Sequence, residues 1–404
     1  LKKTPLGCRN LSGPLAEAAE EARRAFMERF GAFGYRPFAS SGLQLLEEAY
    51  DHLPLSLRRR LLPLLSPGGE PCVMRADITL AAIGHLGSRH APEERPLRLV
   101  YADRIYAAPI PPEERIERMQ VGAELLGWEG EGADAEVLHL LLSTLDRLGL
   151  TGSVAVLGDA SLIARALAGL PAVLARSLSE ALHRGDRVSY GSLLRSAHLP
   201  EERRSLLERL PEAKGSPERI RGLFVAGNPE GIPPEYRPEA LLSLADALEG
   251  LGFDGRVRID LGLCRELAYY SGPVFEIFAG PQGPCLGGGG RYDGLLEELG
   301  LLGQAVGFAL DLGRLAERMP ASPHRGPVVV SASGAPPGMV LRLADRIAGT
   351  GLPVECSWRE EPDRALEWAR LRGARAVADA ATGIVRSLRD GAEEEIERWI
   401  GRNG

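Results

Sequence analysis

Between Arg265 and Gly294 the chain runs Arg265-Glu-Leu-Ala-Tyr269-Tyr270-Ser-Gly-Pro-Val-Phe-Glu276, then Gly287-Gly-Gly-Gly-Arg-Tyr-Asp-Gly294. A cation, two adjacent tyrosines, a carboxylate and four consecutive glycines fall within about thirty residues. Val274-Phe-Glu-Ile-Phe278 has the composition of a strand. Glycines without a Cβ let another group lie against the backbone. Arginine and tyrosine together suit a small ligand with a carboxylate and a flat polar ring. The same glycines are also compatible with a tight turn between two core strands.

Around this segment, hydrophobic periodicity sets out the elements. Leu15, Ala18, Ala22, Phe26 and Phe30 recur at helical spacing and predict a first helix over Pro14–Phe30, with Ser12 as its cap. Pro71–Arg75 enters an apolar stretch that leads into a helix over Leu80–Leu86. Leu97, Leu99 and Tyr101 alternate with Arg98 and Val100, the period of a half-buried strand. Ala135–Leu148 reads as a long apolar helix, and residues 160–250 as a helical insertion that ends before a strand at Arg256–Asp260. Pro320–Pro327 has the composition of a linker. Beyond it, strands at Val328–Val330, Pro353–Glu355, Ala374–Val377 and Ile384–Arg386 alternate with helices near Gly338–Ala348 and Asp363–Arg372, predicting a small α/β domain over 325–404. The acidic run Glu393–Glu397 reads as a solvated helix face.

Composition narrows the function classes. No run of about 18 apolar residues is present, so no membrane span is expected. The start lacks a signal-peptide-like apolar core. Five scattered cysteines with no Cys-x-x-Cys argue against a zinc site or a disulfide framework and fit a reducing cytoplasm. Neither a metal nor a cofactor is implied. With a net charge of −7, the chain carries no electrostatic footprint for nucleic acid.

The Arg265–Tyr270 and Gly288–Gly294 segments resemble the two signature motifs of the histidyl-tRNA synthetase family. Further similarities follow in that family's order. Gly7–Leu11 with the first helix resembles its amino-terminal dimer-forming region. Met74-Arg75-Ala-Asp77-Ile-Thr79 is similar to Leu-Arg-Pro-Glu-Gly-Thr, Leu97–Tyr106 to the motif 2 strand, Gln120-Val-Gly-Ala-Glu124 to the Gln-Leu-Gly-x-Glu stretch, and Gly307–Leu315 to motif 3. The resemblance implies an α+β, class II aminoacyl-tRNA synthetase-like core over 1–320, mostly antiparallel, followed by a shortened anticodon-binding-like domain. It also implies a histidine pocket of Asp77, Thr79, Gln120, Glu124, Arg265, Tyr269, Tyr270 and Tyr292. Asp77 and Glu124 would meet the ammonium and ring nitrogens, and Arg265 the carboxylate.

The nucleotide side departs from the family. Ile105-Tyr106 is followed by Ala107 where an arginine is expected, and the next residues are Ala108-Pro-Ile-Pro-Pro-Glu-Glu. Asp311 and Gly313 stand where the family has Gly and Glu. Phosphoryl chemistry depends on placed cations, and no Walker-type loop replaces them. An amino-acid pocket beside a dismantled nucleotide site resembles the regulatory subunits of ATP phosphoribosyltransferase. That resemblance implies no catalytic residue in this chain, a short-form catalytic subunit as partner, self-association into at least a dimer, and free histidine as ligand. It implies activation of the catalytic subunit, feedback inhibition by histidine, and no role for tRNA. The alternatives are a functional histidyl-tRNA synthetase with a divergent motif 2, and a stand-alone histidine-binding or RNA-associated paralogue.

Overall fold

The computed structural model describes all residues except 1–3, 54, 90–95, 110–114, 129, 226–230, 265–269, 302, 321–325, 359–361 and 404; the side chains of 55, 56, 86–89, 362 and 403 also lie outside the description. The chain divides into two compact units, Leu1–Pro320 and Ala321–Gly404.

Among the described residues, twelve strands build the first unit: β1 (Arg36–Pro37), β2 (Leu43–Leu45), β3 (Pro63–Leu65), β4 (Pro71–Met74), β5 (Leu97–Tyr106), β6 (Glu117–Leu126), β7 (Val154–Asp159), β8 (Lys214–Gly215), β9 (Val257–Asp260), β10 (Pro273–Phe278), β11 (Cys285–Arg291) and β12 (Ala305–Asp311). Nine form one sheet in the order β1-β5-β6-β12-β11-β10-β7-β9-β8, and β2-β4-β3 form a small second sheet. Among the described residues, only β1 with β5 and β7 with β9 run parallel in the large sheet. The long central strands are all antiparallel neighbours.

The helices Pro14–Gly31, Glu131–Arg147 and Glu239–Gly250 contribute to a core that also takes in one face of the large sheet. There Phe26, Phe30, Leu138 and Leu141 join Val121, Ala123, Phe275 and Phe308. Phe30 and Phe308 place their ring centroids 5.4 Å apart. The helices of the 160–250 stretch share that core through Leu162, Leu178, Leu206 and Leu241. A second cluster holds Leu53, Val73, Ile83, Leu99, Tyr292 and Ala305.

Three local readings need correction. The first helix is capped by Gly13 at φ 63° with Pro14 at the first helical position, and no side chain caps it. Ser12 lies one residue before the cap position, where the positive φ favours glycine. Leu97–Tyr101 is not half-buried in alternation. Leu99, Val100 and Tyr101 are all buried, because both faces of β5 are covered. The acidic run is not one helix face either, since Glu393–Glu395 forms a strand.

In the second unit, β13 (Val328–Ser331), β14 (Val354–Ser357), β15 (Ala376–Asp379), β16 (Ile384–Ser387) and β17 (Glu393–Glu395) lie in the order β14-β13-β15-β16-β17. The first three are parallel and the last two antiparallel. Helices Pro337–Ala348 and Ile396–Asn403 bury Val340, Ile347 and Trp399 with Val328, Val330 and Ala378. Two of the three charges on β17 are paired: Arg386 bonds Glu393 at 2.6 Å and Arg402 pairs with Glu394. An edge strand carrying charge resists pairing with another chain.

Candidate functional site

Cross-strand register fixes what the face of the large sheet opposite the Phe26–Phe308 core displays. Residues paired across antiparallel strands share a face, and every second residue returns to it. One row reads Leu99, Glu124, Gly307, Gly290 and Val274; the next reads Tyr101, Gly122, Ala309, Gly288 and Glu276; a third reads Asp103, Gln120 and Asp311. Four glycines therefore leave the middle of this face without side chains. The vacant volume is partly used by the protein. A Cβ on Gly122 would stand 2.4 Å from the Tyr101 ring, and one on Gly307 would stand 1.7 Å from Glu124 Oε2. Gly289 points the other way, where its Cβ would meet Phe275 at 2.8 Å. The glycine run thus serves core packing as well as the bare face.

Glu124 is the centre of the site. It is 1% exposed, and three hydroxyls surround its carboxyl. Thr79 Oγ1 donates to Oε1 at 2.6 Å, Tyr101 Oη lies 3.3 Å from Oε1, and Tyr292 Oη donates to Oε2 at 2.5 Å. Burial pushes the carboxyl up to about 8, opposed by the hydroxyls of Thr79, Tyr292 and Tyr101, while the charge of Asp77 pushes the same way as burial. Burial also raises Asp77, against the backbone amides of Leu80 and Thr79. Such a carboxyl is suited to accept a cation or a ring N–H brought in from outside.

The structure brings Thr79, Glu124 and Tyr292 into direct contact. Asp77 is near enough to act on Glu124 by charge, and its Oδ1 accepts from the Leu80 amide at 2.8 Å, so it caps the helix Thr79–Arg89. Gln120 is half-buried on the same face of β6, in the row between Asp103 and Asp311. Tyr270 packs, partly buried, against the cluster containing Tyr292. Arg265 and Tyr269 lie outside the described residues. Sequence reasoning missed Tyr101 and Gly307. Tyr101 sits in the alternating segment, and its pairing with β6 is what sets it beside Glu124.

Two arginines in motif-like positions are structural. Arg291 is buried, with its guanidinium on Asp134 at 2.7 Å, Gln304 at 2.6 Å and the Gly130 carbonyl at 2.8 Å. Arg75, 2% exposed, bonds the carbonyls of Ser40, Ser41 and Arg104 and pairs with Asp103 at 2.8 Å. On the nucleotide side of the resemblance, Asp311 binds Arg115 at 2.9 Å and accepts from the Arg314 amide at 2.9 Å. The acidic residue therefore holds the Arg115 guanidinium in an ion pair. A cavity of about 320 Å³ opens between the insertion helices and β9–β10, lined in part by Tyr190, Lys214, Asp260, Cys264 and Glu276. Among the described residues, none of the expected pocket residues lines it, and no His, Cys, Asp or Glu cluster could hold a metal. No described helix is long and apolar enough to cross a membrane.

Residues 7–315 match the family profile of histidyl-tRNA synthetase. An ATP phosphoribosyltransferase regulatory subunit from Thermus thermophilus is 36% identical over 78% of this chain and 83% of its own length. The chain belongs to the ATP phosphoribosyltransferase regulatory subunit family. A solved structure from Bacillus halodurans, described as an ATP phosphoribosyltransferase regulatory subunit/histidyl-tRNA synthetase, superposes with a TM-score of 0.77 at 25% identity, covering 94% of this chain and 97% of that one. Histidyl-tRNA synthetase from a Nostoc species gives a TM-score of 0.81 at 16% identity with both chains fully covered, which establishes shared fold. This chain thus has a class II, antiparallel-rich α+β architecture.

Proposed function

We propose that this chain is the non-catalytic regulatory subunit of ATP phosphoribosyltransferase, acting at the first step of histidine biosynthesis. It binds the short catalytic subunit, raises its activity and relays feedback inhibition by histidine. The observation that carries this reading is an asymmetry. Glu124 is held in an intact hydroxyl cage, whereas Arg115 on the nucleotide side is bound by Asp311. A sensor needs the first site and not the second.

In this reading a histidine ammonium or ring nitrogen meets Glu124, with Asp77 supplying a second negative charge. Arg265 takes the ligand carboxylate, and Gln120, Tyr269 and Tyr270 complete the pocket. The bare backbone at Gly122 and Gly307 gives Tyr101 and Glu124 their places in the pocket. Self-association runs through the amino-terminal region. Coupling between histidine and the partner's active site is reciprocal for binding: partner ligands that resist the inhibited state weaken histidine binding by the same factor, typically about 5- to 150-fold. Mixing purified chain with the short catalytic subunit and assaying phosphoribosyl transfer with and without histidine tests it. Activation that histidine reverses is expected. If Glu124→Gln abolishes histidine binding to this chain yet inhibition persists at the same concentration, the sensor role is wrong.

A further inference from the structure

We propose that Glu124 carries a proton while its pocket is empty and gives that proton to solvent when a cationic nitrogen docks, so that ligand binding is coupled to proton release. This rests on the histidine reading above.

The geometry of the cage makes both protonation states viable. The carboxyl is buried, at 1% exposure. Its partners are neutral hydroxyls from three directions, and hydroxyls both donate and accept. Tyr101 is the pivot. Its Oη lies 3.3 Å from Glu124 Oε1 and 3.5 Å from the Phe308 carbonyl oxygen. With Glu124 ionised, Tyr101 donates to Oε1. With Glu124 protonated, the carboxyl donates to Tyr101, whose own proton turns to Phe308. No backbone movement is needed.

The surrounding charges favour the protonated form. The segment before the helix Thr79–Arg89 presents Asp77, a like charge. Strand β5 presents Tyr101 and the end of β11 leads to Tyr292, both neutral phenols; β12 presents Gly307, and β6 itself presents Gln120 two pleats away. Among the described residues no lysine or arginine bonds the carboxyl. In a low-dielectric cage of neutral hydroxyls beside a like charge, a carboxyl retains its proton until an opposite charge arrives. The incoming ammonium is already protonated, so the balance is neutral acid plus cation giving an ion pair plus one proton in solvent. Burial holds the empty carboxyl at about 8, which corresponds to about 0.9 protons released per ligand at pH 7.

Calorimetric titration of the full chain with histidine at pH 7, in buffers of different ionisation enthalpy, reads the released protons directly. About 0.9 per site is expected after correcting for histidine's own titration. An infrared difference spectrum of empty wild type against empty Glu124→Gln reads the resting state without ligand, and a protonated-carboxyl C=O band lost in the variant is expected. Histidine binding with no proton release, or a carboxylate band rather than a C=O band lost in the Glu124→Gln difference spectrum, overturns this inference and leaves the histidine reading standing. Absence of histidine binding overturns both.

Discussion

Gly307→Ala probes how the sheet shapes the site. Gly307 pairs with Glu124 across β12 and β6. An added Cβ would lie 1.7 Å from Glu124 Oε2 and 2.7 Å from the Ala123 carbonyl. The carboxyl can swing away, but doing so breaks the 2.5 Å bond from Tyr292. The Ala123 oxygen is backbone and cannot swing, so the two strands must also part slightly. Loss of a hydrogen bond to a buried ionisable group costs about 1.5–3 kcal/mol, and overpacking adds about 1–3 kcal/mol. A destabilisation of about 2.5–6 kcal/mol is therefore expected in denaturant titration. Histidine affinity should fall about ten- to a hundredfold, because the displaced carboxyl no longer faces the pocket. Removing the obstructing side chain separates the two contributions. Gly307→Ala combined with Glu124→Ala should cost at least about 1 kcal/mol less than the sum of the single variants, since these residues share one contact. A cost below about 0.5 kcal/mol for Gly307→Ala alone, or strict additivity, would refute the reasoning.

Other expectations follow from the same geometry. Glu124→Gln should stabilise the empty protein increasingly with pH: the folded carboxyl at about 8 lies above its unfolded value, so wild-type stability is retained below about 4.3 and declines as pH rises towards 8. Melting curves should diverge by roughly 2–4 kcal/mol between pH 5 and 9; parallel curves would count against a buried, cation-free carboxyl. Arg291→Ala leaves Asp134 buried and unpaired, which should cost about 3–5 kcal/mol in chemical unfolding. Asp77→Ala should lose about 1 kcal/mol as a missing helix cap, while Asp77→Asn keeps the cap and stays within about 0.5 kcal/mol; equal losses would assign Asp77's role to charge instead.

The sequence exposes the parts of this protein that depend on local chemistry. The helix around Phe26 and Phe30 is readable because its apolar residues repeat on one face. The alternating β-strand and helix segments after residue 326 are readable from their length and punctuation. Thr79, Glu124 and Tyr292, spread over more than two hundred residues, are united only by motif resemblance. What stayed hidden depends on register. Nothing in the spacing of Tyr101 or Gly307 shows that β5 and β12 flank Glu124 on either side. The ion pair of Arg115 with Asp311 joins two distant segments whose residues, read separately, suggested a lost cation and a misplaced charge. Burial on both faces of β5 erased the meaning of its period-two pattern. The acidic run at Glu393 looked helical because charge carries no period when every residue is alike.

The central claim is regulation without catalysis, and reconstitution tests it most directly. Phosphoribosyl transfer should be measured with the short catalytic subunit alone, with this chain added, and with added histidine, alongside histidine-dependent pyrophosphate exchange by this chain alone. The account predicts activation by this chain, reversal by histidine that Glu124→Gln removes, and no pyrophosphate exchange. Pyrophosphate exchange with transfer of histidine to tRNA, and no effect on the catalytic subunit, would contradict it.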